Sequence, residues 1–187
     1  MNNKISRRRF TRVSLTGSTA FVALNPFGMI PDVRTDSHCI RLGGPVFGDH
    51  KDPHEWVTEV KGAGYSAAYC PVEPGTDEVT VKAFEKAARD ANIIISEIGA
   101  WSNPISKDEQ VRKAALKKCK DSLALAELIG AGCCVNISGS RGEKWDGPDP
   151  ENLSEETFDL IVQTTREIID EVLPVRTFFT LESLPWA

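Results

Sequence analysis

Short apolar runs alternate with helical patterns along this chain, and the alternation constrains the fold more than any other feature of the sequence. Five runs are typical of strands, at residues 39–47, 66–73, 93–101, 132–140 and 177–186. Helical periodicity separates each run from the next. Strands and helices that alternate in this way build βαβ units around a parallel sheet, so the sequence predicts an α/β fold.

Four helices are predicted between the runs, at residues 52–64, 77–92, 106–130 and 154–173. Asp52 is expected to cap the first helix, and the spacing of Ser106 and Glu109 predicts a capping box at the third. Gly130 suits the position just after that helix. Ile93, Ile94 and Ile95 begin the third strand, and such a run is typical of a strand buried on both faces.

Two parallel architectures fit the alternation, a doubly wound sheet and a (β/α)8 barrel. No G-x-G-x-x-G follows any of the predicted strands. That fingerprint marks the dinucleotide-binding version of the doubly wound sheet, so its absence is weak evidence for the barrel.

The composition indicates an ordinary globular chain with an acidic balance. It has 187 residues, of which 41% are hydrophobic and 26% charged, and its net charge is -5. The negative charge argues against a general nucleic-acid surface. Five cysteines occur without a C-x-x-C spacing, so we interpret them as small core residues and not as a zinc or redox site.

The N-terminus has the layout of an export signal. A segment rich in basic residues, 4–12, precedes a mildly apolar stretch that is too short to span a membrane. Residues 6–12, "SRRRFTR", resemble the bacterial twin-arginine motif, although Thr11 and Arg12 depart from it. A nucleic-acid-binding arm is the alternative. The prediction is a signal and linker at 1–35, a barrel domain at 36–187, and export by the twin-arginine machinery to the periplasm, with signal cleavage left open.

Polar side chains cluster where the predicted strands end, which is where sites form in parallel α/β proteins. Trp101 and Asn136 follow the third and fourth runs, and Glu182 and Trp186 lie near the end of the fifth. Carboxylate, amide and indole groups suit a polyhydroxylated ligand. Glu182 stands among apolar neighbours, so we expect it to be buried and to need a cation, either a basic side chain or an oxygen-liganded metal.

Three stretches carry a resemblance to a known family. They are "GAWSNP" (99–104), "CVNISGSRGEKWDGPDPENLSEETFDLIV" (134–162) and "FFTLESLPW" (178–186). The chain from about residue 38 onward resembles the sugar phosphate isomerase/epimerase group of the xylose isomerase-like TIM barrels. Its fold is thus expected to be a (β/α)8 barrel of which this chain holds the first five strands.

The resemblance also implies a site. Family members hold a divalent metal, Mn²⁺ first and Mg²⁺ or Co²⁺ as alternatives, with Glu, Asp, His and Glu from strands five to eight. Glu182 matches the first ligand, and ligand glutamates double as catalytic bases that move a proton between adjacent carbons. By the same analogy, Trp101, Asn136 and Trp186 line the pocket of a carbohydrate substrate.

The later ligand strands have no counterpart in these 187 residues. We therefore expect an N-terminal fragment of a longer enzyme, inactive alone. The alternatives are an exported barrel that binds carbohydrate without catalysis and, less favoured by the acidic charge, a metal-dependent endonuclease acting on abasic DNA. Nucleic acid and a membrane span are not expected as partners, and homo-oligomer formation is left open.

Replacement of Arg7 and Arg8 by Lys tests the export signal. The paired arginines are the residues that the twin-arginine machinery reads, so the variant precursor is expected to stay in the cytoplasm. Fractionation followed by immunoblotting measures this, with Arg12→Lys as the matched control because that change restores the motif residue. Unchanged export of the double variant would contradict the signal.

Overall fold

The computed structural model describes residues 40–48 and 50–184, so the predicted signal at 1–35 and Trp186 lie outside the described residues. The described residues belong to one unit that begins at Ile40. None of its helices is long and apolar enough to cross a membrane, within this described part of the chain.

All four predicted helices are present, and polar caps explain where they begin. They are α1 (Pro53–Gly62), α2 (Glu78–Asp90), α3 (Glu109–Ile129) and α4 (Glu155–Val172), and a 3-10 helix at Pro150–Leu153 precedes α4. Asp52 caps α1 as predicted, accepting a hydrogen bond from the His54 N–H at 2.7 Å. Gly130 ends α3 with a φ of 76°, in the left-handed region that favours glycine.

The predicted capping box at Ser106 is wrong. Asp108 is the N-cap of α3, and its Oδ1 accepts hydrogen bonds from Gln110 N at 2.8 Å and Val111 N at 3.0 Å. Ser106 Oγ instead accepts from the backbone N–H of Asp108, the N-cap residue itself. A carboxylate closer to the helix competes successfully with the serine because it bonds two of the free N–H groups.

The strands are short and all pair in parallel. They are β1 (Gly43–Gly44), β2 (Ala67–Ala68), β3 (Ile94–Ile95), β4 (Glu97–Gly99), β5 (Cys133–Ile137) and β6 (Phe178–Glu182). The pairing orders are β1-β2-β3 and β4-β5-β6. These results confirm the predicted parallel α/β fold.

Ser96 divides the third predicted strand into β3 and β4, but the hydrogen bonds continue through it. Ser96 N donates to Ala68 O at 2.8 Å on one side, and Ser96 O accepts from Cys133 N at 3.2 Å on the other. Before Ser96 the buried side chain is at an odd-numbered position, Ile95, and after it at an even-numbered one, Ile98, so the alternation of buried residues shifts by one. Ser96 is therefore an extra residue in one continuous strand that joins the two sheets, in the manner of a β-bulge.

Strand order places the helices on one face of the sheet. Within β1-β2-β3 and within β4-β5-β6, each strand lies beside the next one in sequence, without a reversal of order. Right-handed crossovers between neighbours taken in sequence return every helix to the same side. This singly wound arrangement is that of a barrel, whereas a doubly wound sheet reverses direction and has helices on both faces.

The core lies between the sheet and the helices. Trp56 of α1 and Phe84 of α2 are fully buried there, with ring centroids 5.9 Å apart in an edge-to-face arrangement. Ile95 and Cys134 contribute the sheet side of the same cluster. The prediction of a third strand buried on both faces is wrong, because Ile94 points away from the helices and is 47% exposed.

Four of the cysteines lie in the described residues, and all are free thiols. Cys119 and Cys134 are buried, while Cys70 and Cys133 are half-buried. Burial raises the pKa of Cys70 and of Cys134 to about 12. These thiols therefore stay protonated and act as small packing residues.

A carboxylate clamp joins α3 to β6 at the amino-terminal end of the sheet. Glu127 Oε2 accepts hydrogen bonds from the backbone N–H groups of Val175, Arg176 and Thr177 at 3.0, 3.0 and 3.2 Å. Arg176 returns to the end of α3, donating to Glu127 O at 2.7 Å and Leu128 O at 2.6 Å. The hydrogen bond from Arg176 N is the largest effect that lowers the pKa of Glu127, and partial burial opposes it.

The clamp predicts a pH-dependent loss of stability in Glu127→Gln. Because its pKa is lower in the folded state, Glu127 stabilises the fold above the unfolded pKa and loses that contribution as pH falls through the folded pKa. We expect the free energy of unfolding of the variant to be about 1 kcal/mol lower than that of the parent protein at pH 7. The difference between the two should become smaller toward pH 3. Urea denaturation at both pH values measures it.

Asp121→Asn is the matched control for this measurement. Asp121 pairs with Lys117 on the exposed surface of α3, four residues apart, at 2.5 Å. Its loss is expected to cost less than about 0.5 kcal/mol at either pH. Equal effects of the two substitutions would show that the three backbone bonds to Glu127 do not stabilise the fold.

Candidate active site

The candidate site lies on the sheet face opposite the helices, which we call the open face. On β4 and β5, Ile98 and Cys134 belong to the helix-side core, and Asn136 is hydrogen-bonded to Cys119 of α3, so these three side chains point to the helices. Side chains alternate along a strand, so Glu97 and Gly99 point to the open face. On β6, Phe179 packs against the helix-side core, which places Glu182 on the open face as well.

Pairing register brings the ends of three strands to one level. Gly99 pairs with Val135, and Ile137 pairs with Glu182 two residues further along. Trp101 follows Gly99 by two residues, so it lies at the level of Ile137. Trp101, Ile137 and Glu182 thus form one row across the carboxyl-terminal edge of the sheet, where parallel α/β proteins bind ligands.

Glu182 is exposed, so the prediction that it is buried is wrong. Of the described strands, only β5 pairs with β6, and Glu182 at the end of β6 is open to solvent. Its role as a metal ligand and base stays a prediction.

Sequence reasoning missed a second carboxylate on the open face. Glu97 is half-buried, and burial raises its pKa, with the negative charge of Glu182 raising it further. A carboxylate two residues after three isoleucines was the available signal, and the extra residue at Ser96 concealed which face of the sheet Glu97 occupies.

Trp101 folds back onto the open face over Gly99. A Cβ atom at Gly99 would overlap Trp101 Nε1, so only glycine leaves room for the indole in this position. The Trp101 backbone has a φ of 24°, an unfavourable value for a residue with a side chain. The side chain is 41% exposed, which leaves part of the ring available to a ligand.

Asn136 lies on the helix side of the sheet. It is fully buried, its Oδ1 accepts a hydrogen bond from Ser102 N at 2.8 Å, and its Nδ2 donates to Cys119 Sγ at 3.4 Å. These contacts fix the loop that carries Trp101 to β5 and α3. Asn136 therefore positions that loop, and a direct contact with a substrate stays a prediction, as it does for Trp186.

Two loops at the carboxyl-terminal edge are locked together by buried polar groups. Asn103 Nδ2 donates to Ser140 O at 2.7 Å, and Asn103 Oδ1 accepts from Ser140 N at 3.1 Å. Gly139 has a φ of 99°, and a Cβ there would overlap Asn103 Oδ1. Asn152 Oδ1 accepts from Arg141 N at 2.8 Å. Nothing in the sequence identified Asn152, because its partner lies in a distant part of the same loop.

The described residues do not fit a complete metal site. Within 40–48 and 50–184, no group of three His, Cys, Asp or Glu side chains is placed to hold an ion. Glu182 and Glu97 supply two carboxylates, fewer than the usual ligand number of Mn²⁺ or Mg²⁺.

Substitution of Gly99 by Ala is expected to displace Trp101. The added methyl group overlaps the indole, and the partly exposed ring moves toward solvent because the backbone around Gly99 is held in the sheet. Trp101 fluorescence is obtained by subtracting the signal of the Trp101→Phe variant. Its quenching by acrylamide should rise about twofold in Gly99→Ala, while the free energy of unfolding should change by about 1 kcal/mol or less. Gly62→Ala on α1 is the control, since no atom lies within 4 Å of that Cβ position. Identical quenching in both variants would contradict the packing.

Solved structures with the same fold extend well beyond this chain. A candidate xylose isomerase of Rhodospirillum rubrum superposes with a TM-score of 0.57 at 13% identity, over 79% of this chain and 55% of that one. D-psicose 3-epimerase of Clostridium cellulolyticum with D-tagatose superposes with a TM-score of 0.56 at 16% identity, over 78% of this chain and 53% of that one. A xylose isomerase-like TIM barrel protein of Mycobacterium smegmatis in complex with magnesium superposes with a TM-score of 0.53 at 14% identity, over 80% of this chain and 57% of that one. The chain thus spans about half the length of these structures, and no curated protein matches it.

A family model agrees with this shared fold. The model described as xylose isomerase-like TIM barrel matches residues 57–186, most of the chain. The singly wound parallel sheet and the likeness to these three solved structures point to the same fold. This chain belongs to the xylose isomerase-like TIM barrel family.

Proposed function

We propose that the protein is a metal-dependent isomerase or epimerase that shifts a proton between adjacent carbons of a sugar or sugar phosphate. One observation carries the proposal: Glu182 is an exposed carboxylate at the carboxyl-terminal end of β6, in one row with the indole of Trp101. A carboxylate can serve as the base for proton transfer next to a carbonyl, and an aromatic ring on the same edge of the sheet can hold the sugar by contact with its C–H groups.

Each of these side chains has a separate task in the proposal. The exposed ring of Trp101 contacts the apolar face of the sugar and fixes its height above the sheet. Glu182 then accepts or returns the proton at a carbon held against that ring. Glu97 lies deeper on the open face, where burial and then the negative charge of Glu182 raise its pKa.

A divalent metal, Mn²⁺ first, belongs to the proposal as a cofactor. Since the described residues do not complete its site, the remaining ligands must come from outside them. We further propose that the 187-residue chain alone turns over no sugar. We also propose export to the periplasm, on the strength of residues 6–12.

Glu182→Gln tests the assignment in the protein as its gene encodes it, with any sequence that follows residue 187. With Mn²⁺ and D-fructose in deuterated water, the parent protein should incorporate solvent deuterium next to the carbonyl, followed by NMR. The variant should lose at least about a hundredfold of that exchange rate, because the amide cannot accept the proton. Circular dichroism confirms that it is folded.

Glu55→Gln is the matched control because Glu55 is exposed on α1, and this variant should exchange deuterium at the parent rate. Exchange that survives Glu182→Gln would overturn the role of Glu182. A parent protein that binds sugars but exchanges no deuterium, across ketoses and their phosphates, would overturn the enzyme and favour a carbohydrate-binding barrel.

A further inference from the structure

A groove lies outside the open face, between the loop after β4 and the loop after β5, next to the first turn of α3. Its volume is about 480 Å³. Trp145 forms one wall and is 42% exposed, and Val111 of α3 adds apolar surface opposite the loop. The groove shares neither Trp101 nor Glu182 with the candidate active site.

The segment that carries Trp145 is held in place at both ends. Ser140 Oγ donates to Gly147 O at 2.7 Å, and Asn152 Nδ2 donates to the same carbonyl at 3.2 Å. Arg141 Nη1 donates to Ile105 O at 2.6 Å, which ties the segment to the neighbouring loop. An exposed indole on a fixed support loses little conformational entropy when it binds a ligand.

The polar groups of the groove favour a neutral ligand. Lys107 Nζ pairs with Glu151 at 2.7 Å, and Arg141 Nε lies 3.8 Å from the same carboxylate. Three carboxylates also line the groove, those of Asp108, Glu143 and Asp149, so an anion would meet more acidic than basic groups there. Glu143 and Asp149 offer carboxylate acceptors, and the Lys107 ammonium offers a donor. Hydroxyl groups match such a set because they donate and accept, and a pyranose ring presents a flat C–H face to an indole.

We propose that this groove binds a short neutral oligosaccharide, with one sugar ring stacked on Trp145. The site is separate from the open face and would engage sugar units of a chain, whereas the candidate active site takes a single sugar. It does not depend on the proposed isomerase activity, since it requires neither Glu182 nor a metal.

Calorimetric titration of the 187-residue chain with xylotetraose and with cellotetraose tests the site. At least one tetrasaccharide should bind with a Kd of about 0.1–1 mM. Trp145→Ala should weaken binding at least about tenfold, and Trp145→Phe should stay within about threefold because a ring remains for stacking. Circular dichroism verifies that both variants are folded.

Two aromatic controls separate this site from other surfaces. Phe158→Ala removes an exposed ring from α4, and Trp101→Ala removes the ring on the open face. Both should leave tetrasaccharide affinity unchanged within about twofold. Absence of binding to either tetrasaccharide at about 20 mM, or an equal loss in Trp145→Ala and Phe158→Ala, would overturn the proposal. A loss confined to Trp101→Ala would place the sugar on the open face and would overturn it too.

Discussion

The handedness of the crossover connections is the constraint on which the rest of this structure depends. Within each of the two strand orders, every strand lies beside its predecessor and runs parallel to it. The right-handed connection that is general for such units then returns each helix to the same face. All large buried aromatic side chains of the described residues, Trp56 and Phe84, lie on that side. The opposite face is consequently available for polar side chains such as Glu97 and Glu182, which the helix-side core could not hold without a counter-charge.

Most of the fold could be predicted from the sequence because helix period and capping are local properties. Asp52 and Gly130 have the predicted roles since each depends on a few neighbouring backbone groups. Long-range packing was less accessible. The face of α4 buries Thr157 and Thr164, while Phe158 is exposed, because the position of the helix on the sheet decides which side is covered.

The candidate site was predictable in position but not in environment. Strand ends identified the level at which Trp101 and Glu182 lie, since register follows from parallel pairing. Burial did not follow, because hydrophobic neighbours along a strand alternate between faces and only the pairing shows which face is covered. Asn136 illustrates the same limit: its sequence position is at the edge, yet its side chain points to α3 and holds the loop that carries Trp101.

The extra residue at Ser96 imposes a length rule on this part of the chain. Two residues separate Ile95 from Ile98 on the helix side, so the segment beyond Ser96 is out of phase with the segment before it. Loss of a single residue here would exchange the two sides of β4, so that Ile98 would point to the open face and Glu97 to the helix-side core. Insertions and deletions should accordingly be tolerated in the surface loops during evolution, whereas the spacing from Ile95 to Trp101 should be kept even where the residue types change.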